Sequence, residues 1–279
     1  MSISVLMSVY RSEKADRFDR ALRSVWNDQS LKPDQIVLVE DGPLGHKLDV
    51  VVDKWKNRLG DKLTIVSNEE NIGLTKSLNK GISVAKGDYI ARMDSDDISL
   101  PERFRLQKEF LDSHPEIMVV GGSIQEFNSD TDCLCVNRYP ADTDACRKYI
   151  CKANPLAHPT VMIRRNVFDS GLRYNEKYRK NQDLALWIDV LAAGYKIANI
   201  PEITLKFRRE GDVFSRRGSS ETRNSELEIY THGIRTLNGP FSYKYIYPIA
   251  RYIFKSLPVE MIKLVYGSGL RKKLLNRQK

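Results

Sequence analysis

Four short apolar runs, Ile3 to Val9, Ile36 to Val39, Leu63 to Val66 and Tyr89 to Met93, are separated by stretches whose apolar residues recur at helical spacing. Phe18, Ala21, Leu22, Val25 and Trp26 mark a helix over residues 16–28, Leu48 to Leu59 a second, and Leu74, Leu78 and Ile82 a third over residues 74–85. Runs that are apolar at nearly every position belong to strands covered on both faces, and their alternation with helices builds βαβ units. The chain is therefore predicted to be an α/β protein with a mainly parallel sheet flanked by helices. Further on, a helix follows Pro101, a strand runs from Ile117 to Gly122, and residues 128–155 read as polar and irregular. Thr160 to Ile163 is a strand, Asp183 opens a helix that closes at Gly194, and Lys196 to Ile200 reads as the last strand of the body.

The fourth strand runs directly into Asp94-Ser95-Asp96-Asp97. Carboxylates this close repel one another, so a fold that holds them together supplies a cation or leaves them solvated in a turn. Hard cations take carboxylate oxygens and complete their shell with substrate phosphates, and open α/β sheets bind ligands at the C-terminal ends of their strands. The segment reads either as a metal–nucleotide site or as an acidic turn before the helix near Pro101.

Three other residues carry the same two-sided reading. Asp41 ends the second strand at Glu40-Asp41-Gly42-Pro43, either as a turn residue or as an acceptor for the imide of a uracil. Asp183 opens an apolar helix, either as a favourable charge at its N-terminus or as a general base. His158, before Pro159, fits a metal ligand, a pyrophosphate contact or a packed core histidine.

The net charge of +9 is unevenly placed: Lys206 to the end holds 16 Lys/Arg against 6 Asp/Glu, and the preceding residues hold 29 against 30. The body is near neutral and the tail strongly basic, which points to an anionic partner for the tail. Ile249, Ile253 and Leu257 share one helical face, with Arg251 and Lys255 opposite, and a second apolar stretch over residues 259–266 precedes Arg271, Lys272, Lys273 and Arg277. With Tyr243, Tyr245, Tyr247, Tyr252 and Phe254 nearby, this reads as interfacial helices drawn to anionic lipid, or as helices packed on the body. No nucleic-acid-binding module is present, and neither a membrane-spanning run nor a signal peptide is apparent. The four cysteines lack zinc or disulfide spacing and read as free thiols in a reducing cytoplasm.

Taken in order, Ser8-Val9-Tyr10, Val39-Glu40-Asp41-Gly42, Asn71-Ile72-Gly73, Met93-Asp94-Ser95-Asp96-Asp97, His158-Pro159-Thr160 and Asn181-Gln182-Asp183-Leu184-Ala185-Leu186-Trp187 resemble the family 2 glycosyltransferases, inverting enzymes with the GT-A (Rossmann-like) fold. The resemblance covers residues 2–205. It implies a catalytic domain over residues 1–205, with a nucleotide half (1–100) and an acceptor half (101–205), followed by a membrane-associating tail (206–279). It implies that Ser8 and Tyr10 lie by the uridine, that Asp41 binds the uracil, and that Asn71, Lys76 and Ser95 join the nucleotide-sugar site. Asp94 would contact the ribose or metal, Asp96 would hold Mn²⁺ or Mg²⁺, and Asp183 would be the base, with His158 kept beside them as a candidate metal ligand on its own reading. Three positions depart from the family pattern: Glu40 replaces Asp, Arg11 stands where Asn often follows the tyrosine, and Gln182 replaces the Glu before the base.

The implied reaction moves a hexose from a UDP-sugar to a lipid-linked acceptor such as GlcNAc-diphosphate-undecaprenol, forming a β1,3 linkage at the cytoplasmic face of the inner membrane. The competing readings are a nucleotidyltransferase, against which the lack of a Gly-rich basic loop near the N-terminus counts, and a non-catalytic, membrane-docking sugar-nucleotide binder.

Overall fold

The computed structural model describes residues 1–128, 133–209 and 220–256. The chain divides into two compact units, Met1–Arg209 and Glu210–Lys279.

In the first unit, β1 (Ile3–Val9), β2 (Gln35–Glu40), β3 (Leu63–Ser67) and β4 (Tyr89–Asp94) are all parallel. They are joined by α1 (Ala15–Trp26), α2 (His46–Leu59) and α3 (Leu74–Val84). Strands β1, β2 and β4 are buried along most of their length, as their unbroken apolar runs require, while β3, at the end of the sheet, is buried only at Leu63. The amphipathic face of α1 (Phe18, Ala21, Leu22, Val25) is buried, and Trp55 of α2 donates its indole N–H to Asp19 Oδ1 at 2.6 Å. That bond lets a large aromatic sit in the core without an unpaired donor.

Past β4 come β5 (Ile98–Ser99), α4 (Arg103–Ser113), β6 (Ile117–Phe127), β7 (Cys133–Asn137), α5 (Thr143–Tyr149), β8 (Met162–Arg164), α6 (Arg165–Asp169), α7 (Gln182–Ala192) and β9 (Lys196–Arg208). The sheet runs β3-β2-β1-β4-β8-β6-β9-β5, with β7 on the side of β6. Strand β8 is antiparallel to both β4 and β6, while β6 and β9 are parallel. The mainly parallel α/β sheet is as expected from the sequence.

Several expectations need correction. Residues 128–155 are not irregular, since they hold β7 and α5. His158–Thr160 is a 3₁₀ turn, so strand β8 starts only at Met162. Both β6 and β9 run well beyond their expected ends. Strand β9 survives Pro201 because the pairing jumps from Gly122↔Ile200 to Ser123↔Ile203, leaving Pro201 and Glu202 in a bulge where no ladder donor is needed.

Arg103 locks α4 to β4. It is buried, donates from Nη2 to the Arg92 carbonyl at 2.7 Å and from Nε to Gln107 at 3.1 Å, and Gln107 donates to the Thr160 carbonyl at 2.7 Å. Burial, helped by the charge of Arg92, pushes its guanidinium down to about 9.

The second unit, in its described part, holds α8 (Ser220–Asn238), a 3₁₀ turn (Tyr243–Tyr245) and α9 (Ile246–Ser256). Buried Glu226 of α8 pairs with Arg251 at 3.1 Å and with Lys255, both on α9. The two cations expected to meet lipid are thus committed to a carboxylate between the helices. Ile246, Ile249 and Ile253, on the other face of α9, are at least half exposed, as are Phe241 and Tyr243. Leu257, the stretch 259–266, Arg271, Lys272, Lys273 and Arg277 lie outside the described residues. No helix among the described residues is long and apolar enough to cross a membrane.

The close approach of β1 to the start of β4 yields one test. A Cβ on Gly87 would lie 2.4 Å from the Ser4 backbone nitrogen. Gly87→Ala is expected to cost about 1–3 kcal/mol in urea unfolding, since backbone rather than a flexible side chain has to yield. Wild-type stability would contradict this packing.

Candidate active site

The site lies where β1, β2 and β4 end together. Ser8 is paired across the ladder with Asp94 and Val9 with Glu40, so Ser8, Tyr10, Asp41 and Asp94 share one edge of the sheet. Two groups of side chains form along it.

Asp41 organises the first. Its carboxylate accepts from the backbone N–H of Ile72 at 2.8 Å and of Gly73 at 3.1 Å, and from Asn68 Nδ2 at 3.3 Å. Asn71 Nδ2 reaches the Asp41 carbonyl at 3.3 Å. A carboxylate here also faces the positive end of the α3 dipole. Gly42, at φ 86°, is required because a Cβ would lie 2.7 Å from the Asn71 backbone nitrogen. Asp41 thus fastens the 71–73 loop, the turn-type role. Lys76 is exposed in the first turn of α3, and Tyr10 is exposed after β1.

The second group is the acid cluster. One ligand atom each from Asp94, Asp96 and Asp97 lies within 4.8 Å of the others. Asp94 is half-buried and ion-paired with Arg92, a buried arginine. Asp97 is 1% exposed, its Oδ1 accepts from the Arg208 backbone N–H at 2.7 Å, and its Oδ2 has no partner among the described residues. Burial, then the charges of Asp94 and Glu13, raises the Asp96 carboxyl to about 6. Burial, then the charges of Asp94 and Asp96, raises Asp97 well above the usual carboxylate range. A buried carboxylate oxygen without a donor, beside two more acids, fits a hard divalent cation.

His158 is not part of that group. Its ring is buried, Nε2 lies 2.8 Å from the Tyr174 hydroxyl, and it makes an edge contact with Trp187. Burial, reinforced by Arg92, holds it far below the usual histidine range. It packs as a core histidine against Tyr174 and Trp187, one of the three readings the sequence left open. Ser95 is likewise buried, with its hydroxyl on Glu13 at 3.1 Å.

Asp183 sits in the first turn of α7, after Asn181, whose φ of 57° makes it left-handed. Its Oδ2 accepts from Asn154 at 2.5 Å. Burial raises its pKa, opposed by the Leu184 backbone N–H, Asn154 and Arg92. A carboxylate with increased proton affinity, held by one amide, suits proton abstraction.

Helix α3 links the groups. Thr75 donates to the Tyr178 carbonyl at 2.7 Å and Asn79 to the Tyr174 carbonyl at 2.8 Å, so the segment leading to Asp183 is pinned to the helix whose start Asp41 holds. Sequence reasoning missed Arg92, Asp97 as a candidate ligand, Glu13, Asn154 and Tyr174. Only Asp97 carried a signal, its place in the acidic run.

The family model described as "Glycosyl transferase family 2" matches residues 4–172. The chain is similar to "Amylovoran biosynthesis glycosyltransferase AmsE" of Erwinia amylovora, at 32% identity over 94% of this chain and 97% of that one. It is also similar, at 26% identity over 96% of each chain, to an Escherichia coli "UDP-Gal:alpha-D-GlcNAc-diphosphoundecaprenol beta-1,3-galactosyltransferase". Among solved structures, S. aureus TarS 1-349 in complex with UDP-GlcNAc shares the fold, with a TM-score of 0.67 and 19% identity over 91% of this chain and 72% of that chain.

The acid cluster predicts a pH-dependent stability. Asp96 has its ordinary value of 3.8 raised to about 6 in the fold. Its contribution to folding is therefore full below about pH 4 and lost as pH rises through about 6. Mn²⁺ is expected to raise the thermal midpoint more at about pH 7.5 than at about pH 5, where it competes with protons. Equal shifts at both pH values would contradict the cluster as the cation's site.

Proposed function

The chain belongs to glycosyl transferase family 2, and on that footing we propose that it moves a hexose, galactose or glucose, from a UDP-sugar to a lipid-diphosphate-linked sugar. The acceptor we propose is GlcNAc-diphosphate-undecaprenol, with a β1,3 linkage made during assembly of a polysaccharide repeat unit. The E. coli galactosyltransferase, whose name states that donor and acceptor, supports this choice. The observation that carries the reading is the joining of a cation-ready acid cluster to a separate carboxylate of raised proton affinity, both within the field of Arg92.

In this reading Ser8, Tyr10 and the Asp41–Asn71 loop receive the uridine, Lys76 lies near the donor, and Asp94 meets the ribose or cation. Asp94, Asp96 and Asp97 would hold Mn²⁺ or Mg²⁺, which when bound offsets charge on the diphosphate. Asp183 accepts the proton of the acceptor hydroxyl as that oxygen bonds to the anomeric carbon. The bond from that carbon to the diphosphate oxygen breaks on the opposite face, and UDP leaves with the electron pair. Asn154 positions Asp183. An α-linked donor thereby gives a β-glycoside.

The second unit is read as a docking element for the cytoplasmic face of the inner membrane. The exposed isoleucines of α9 would enter the lipid interface, and Arg271, Lys272 and Lys273 would meet its anionic headgroups. Arg251 and Lys255 hold the helix pair together instead.

UDP release with Mn²⁺, a panel of UDP-sugars and a synthetic GlcNAc-diphosphate-lipid tests the reaction. One donor is expected to turn over, with loss on EDTA treatment, while pyrophosphate release would favour a nucleotidyltransferase. Asp183→Asn is expected to lower kcat about 10²–10⁴-fold with UDP affinity retained; near-normal turnover would overturn its role as base. Ile249→Glu combined with Ile253→Glu should weaken binding to anionic vesicles about tenfold or more at high salt, where apolar insertion dominates. Unchanged vesicle binding would remove α9 from the membrane contact.

A further inference from the structure

Arg92 is an unusual residue for the middle of a covered strand. It is 3% exposed on β4, between β1 and β8, and its Nε and Nη1 have no hydrogen-bond partner among the described residues. An arginine so buried and half satisfied is costly, and packing alone would be served better by an apolar side chain. Its one side-chain bond is from Nη2 to Asp94 Oδ1. Its backbone is fixed independently: the carbonyl accepts from Arg103, and the N–H donates to the Val161 carbonyl at 2.9 Å. The backbone that carries the side chain is thus fixed, and the guanidinium bonds one oxygen of Asp94.

Charge explains why such a group is kept. Asp94, Asp96 and Asp97 carry three negative charges when ionised, and Arg92 cancels one. The two left over match one divalent cation. A carboxylate gripped at one oxygen loses much of its freedom to turn away from its neighbours, and partners of this kind govern ligand geometry in metal sites.

We propose that Arg92 is a positioning residue for the divalent cation: by holding Asp94 Oδ1 it fixes that carboxylate in the cation's ligand set and keeps three neighbouring acids together before the cation arrives. This deepens, and rests on, the reading of Asp94, Asp96 and Asp97 as the cation's site.

The test measures Mn²⁺ binding alone, by electron paramagnetic resonance of the free ion, on the full chain without nucleotide. Arg92→Lys keeps the charge but loses the planar fork, and is expected to weaken Mn²⁺ binding about tenfold. Because Arg92 acts through Asp94, the effects should not add: Arg92→Lys in an Asp94→Asn background should cost no more than about twofold beyond Asp94→Asn alone. A merely structural arginine would give additive losses. Should Arg92→Lys fail to fold, Arg92→Gln with Asp94→Asn, which leaves neither charge without its partner, should match Asp94→Asn within about twofold. Additive losses, or wild-type affinity in Arg92→Lys, would overturn the inference while leaving the cation site standing. Failure of the wild-type chain to bind Mn²⁺ would overturn both.

Discussion

Mutual repulsion among Asp94, Asp96 and Asp97 is the constraint around which the first unit is arranged. One of these acids is buried and two are half-buried, where like charges cost most. The fold answers with Arg92 against Asp94 and with the Arg208 backbone N–H against Asp97. Arg208 stands at the end of β9, far along the chain, and its Nε also donates to the Asp96 carbonyl at 2.9 Å. Closing the acid cluster therefore requires the last strand to be in place. Catalytic domains of this kind tolerate such local cost because the surrounding sheet over-determines it.

The same logic explains why the candidate base lies apart from the acids. Asp183 comes from another helix and is held by Asn154, yet the charge of Arg92 bears on it as well as on the acid cluster. Burial raises its proton affinity while the Leu184 backbone N–H, Asn154 and Arg92 limit the rise, a balance that suits a group needed both ionised and basic near neutral pH. Tyr174 and His158 bond to one another within the field of Arg92, and the neutral imidazole adds no positive charge of its own there.

Much of this was legible in the sequence, for identifiable reasons. Covered strands announce themselves as apolar runs, so β1, β2 and β4 and the strand ends bearing Ser8, Asp41 and Asp94 could be placed from pattern alone; β3 showed the same apolar run although it is mostly half-exposed. Gly121-Gly122 looked like the end of β6, yet the glycines serve close approach: a Cβ at Gly121 would lie 2.3 Å from Asn199 Oδ1, and one at Gly122 2.5 Å from Thr204 Cγ2. Pro201 looked like the end of β9 because a bulge cannot be read from one strand without its partner. Arg92 was overlooked because a cation in an apolar run carries no mark of whether it is buried. For His158 and the pair Arg251 and Lys255 the sequence left more than one reading open, since Tyr174 and Glu226, their partners, are distant in sequence.

The central claim is that the acids at the end of β4 and Asp183 serve one substrate between them. Diffraction from crystals grown with Mn²⁺ and a non-transferable UDP-sugar analogue tests it most directly, because the anomalous signal locates the ion independently of the phases. The account predicts an anomalous peak among Asp94, Asp96 and Asp97 in contact with the diphosphate, with the Asp183 carboxylate on the face of the anomeric carbon opposite the leaving group. A nucleotide bound without Mn²⁺ at those acids, or an anomeric carbon that turns its leaving-group side toward Asp183, would contradict it.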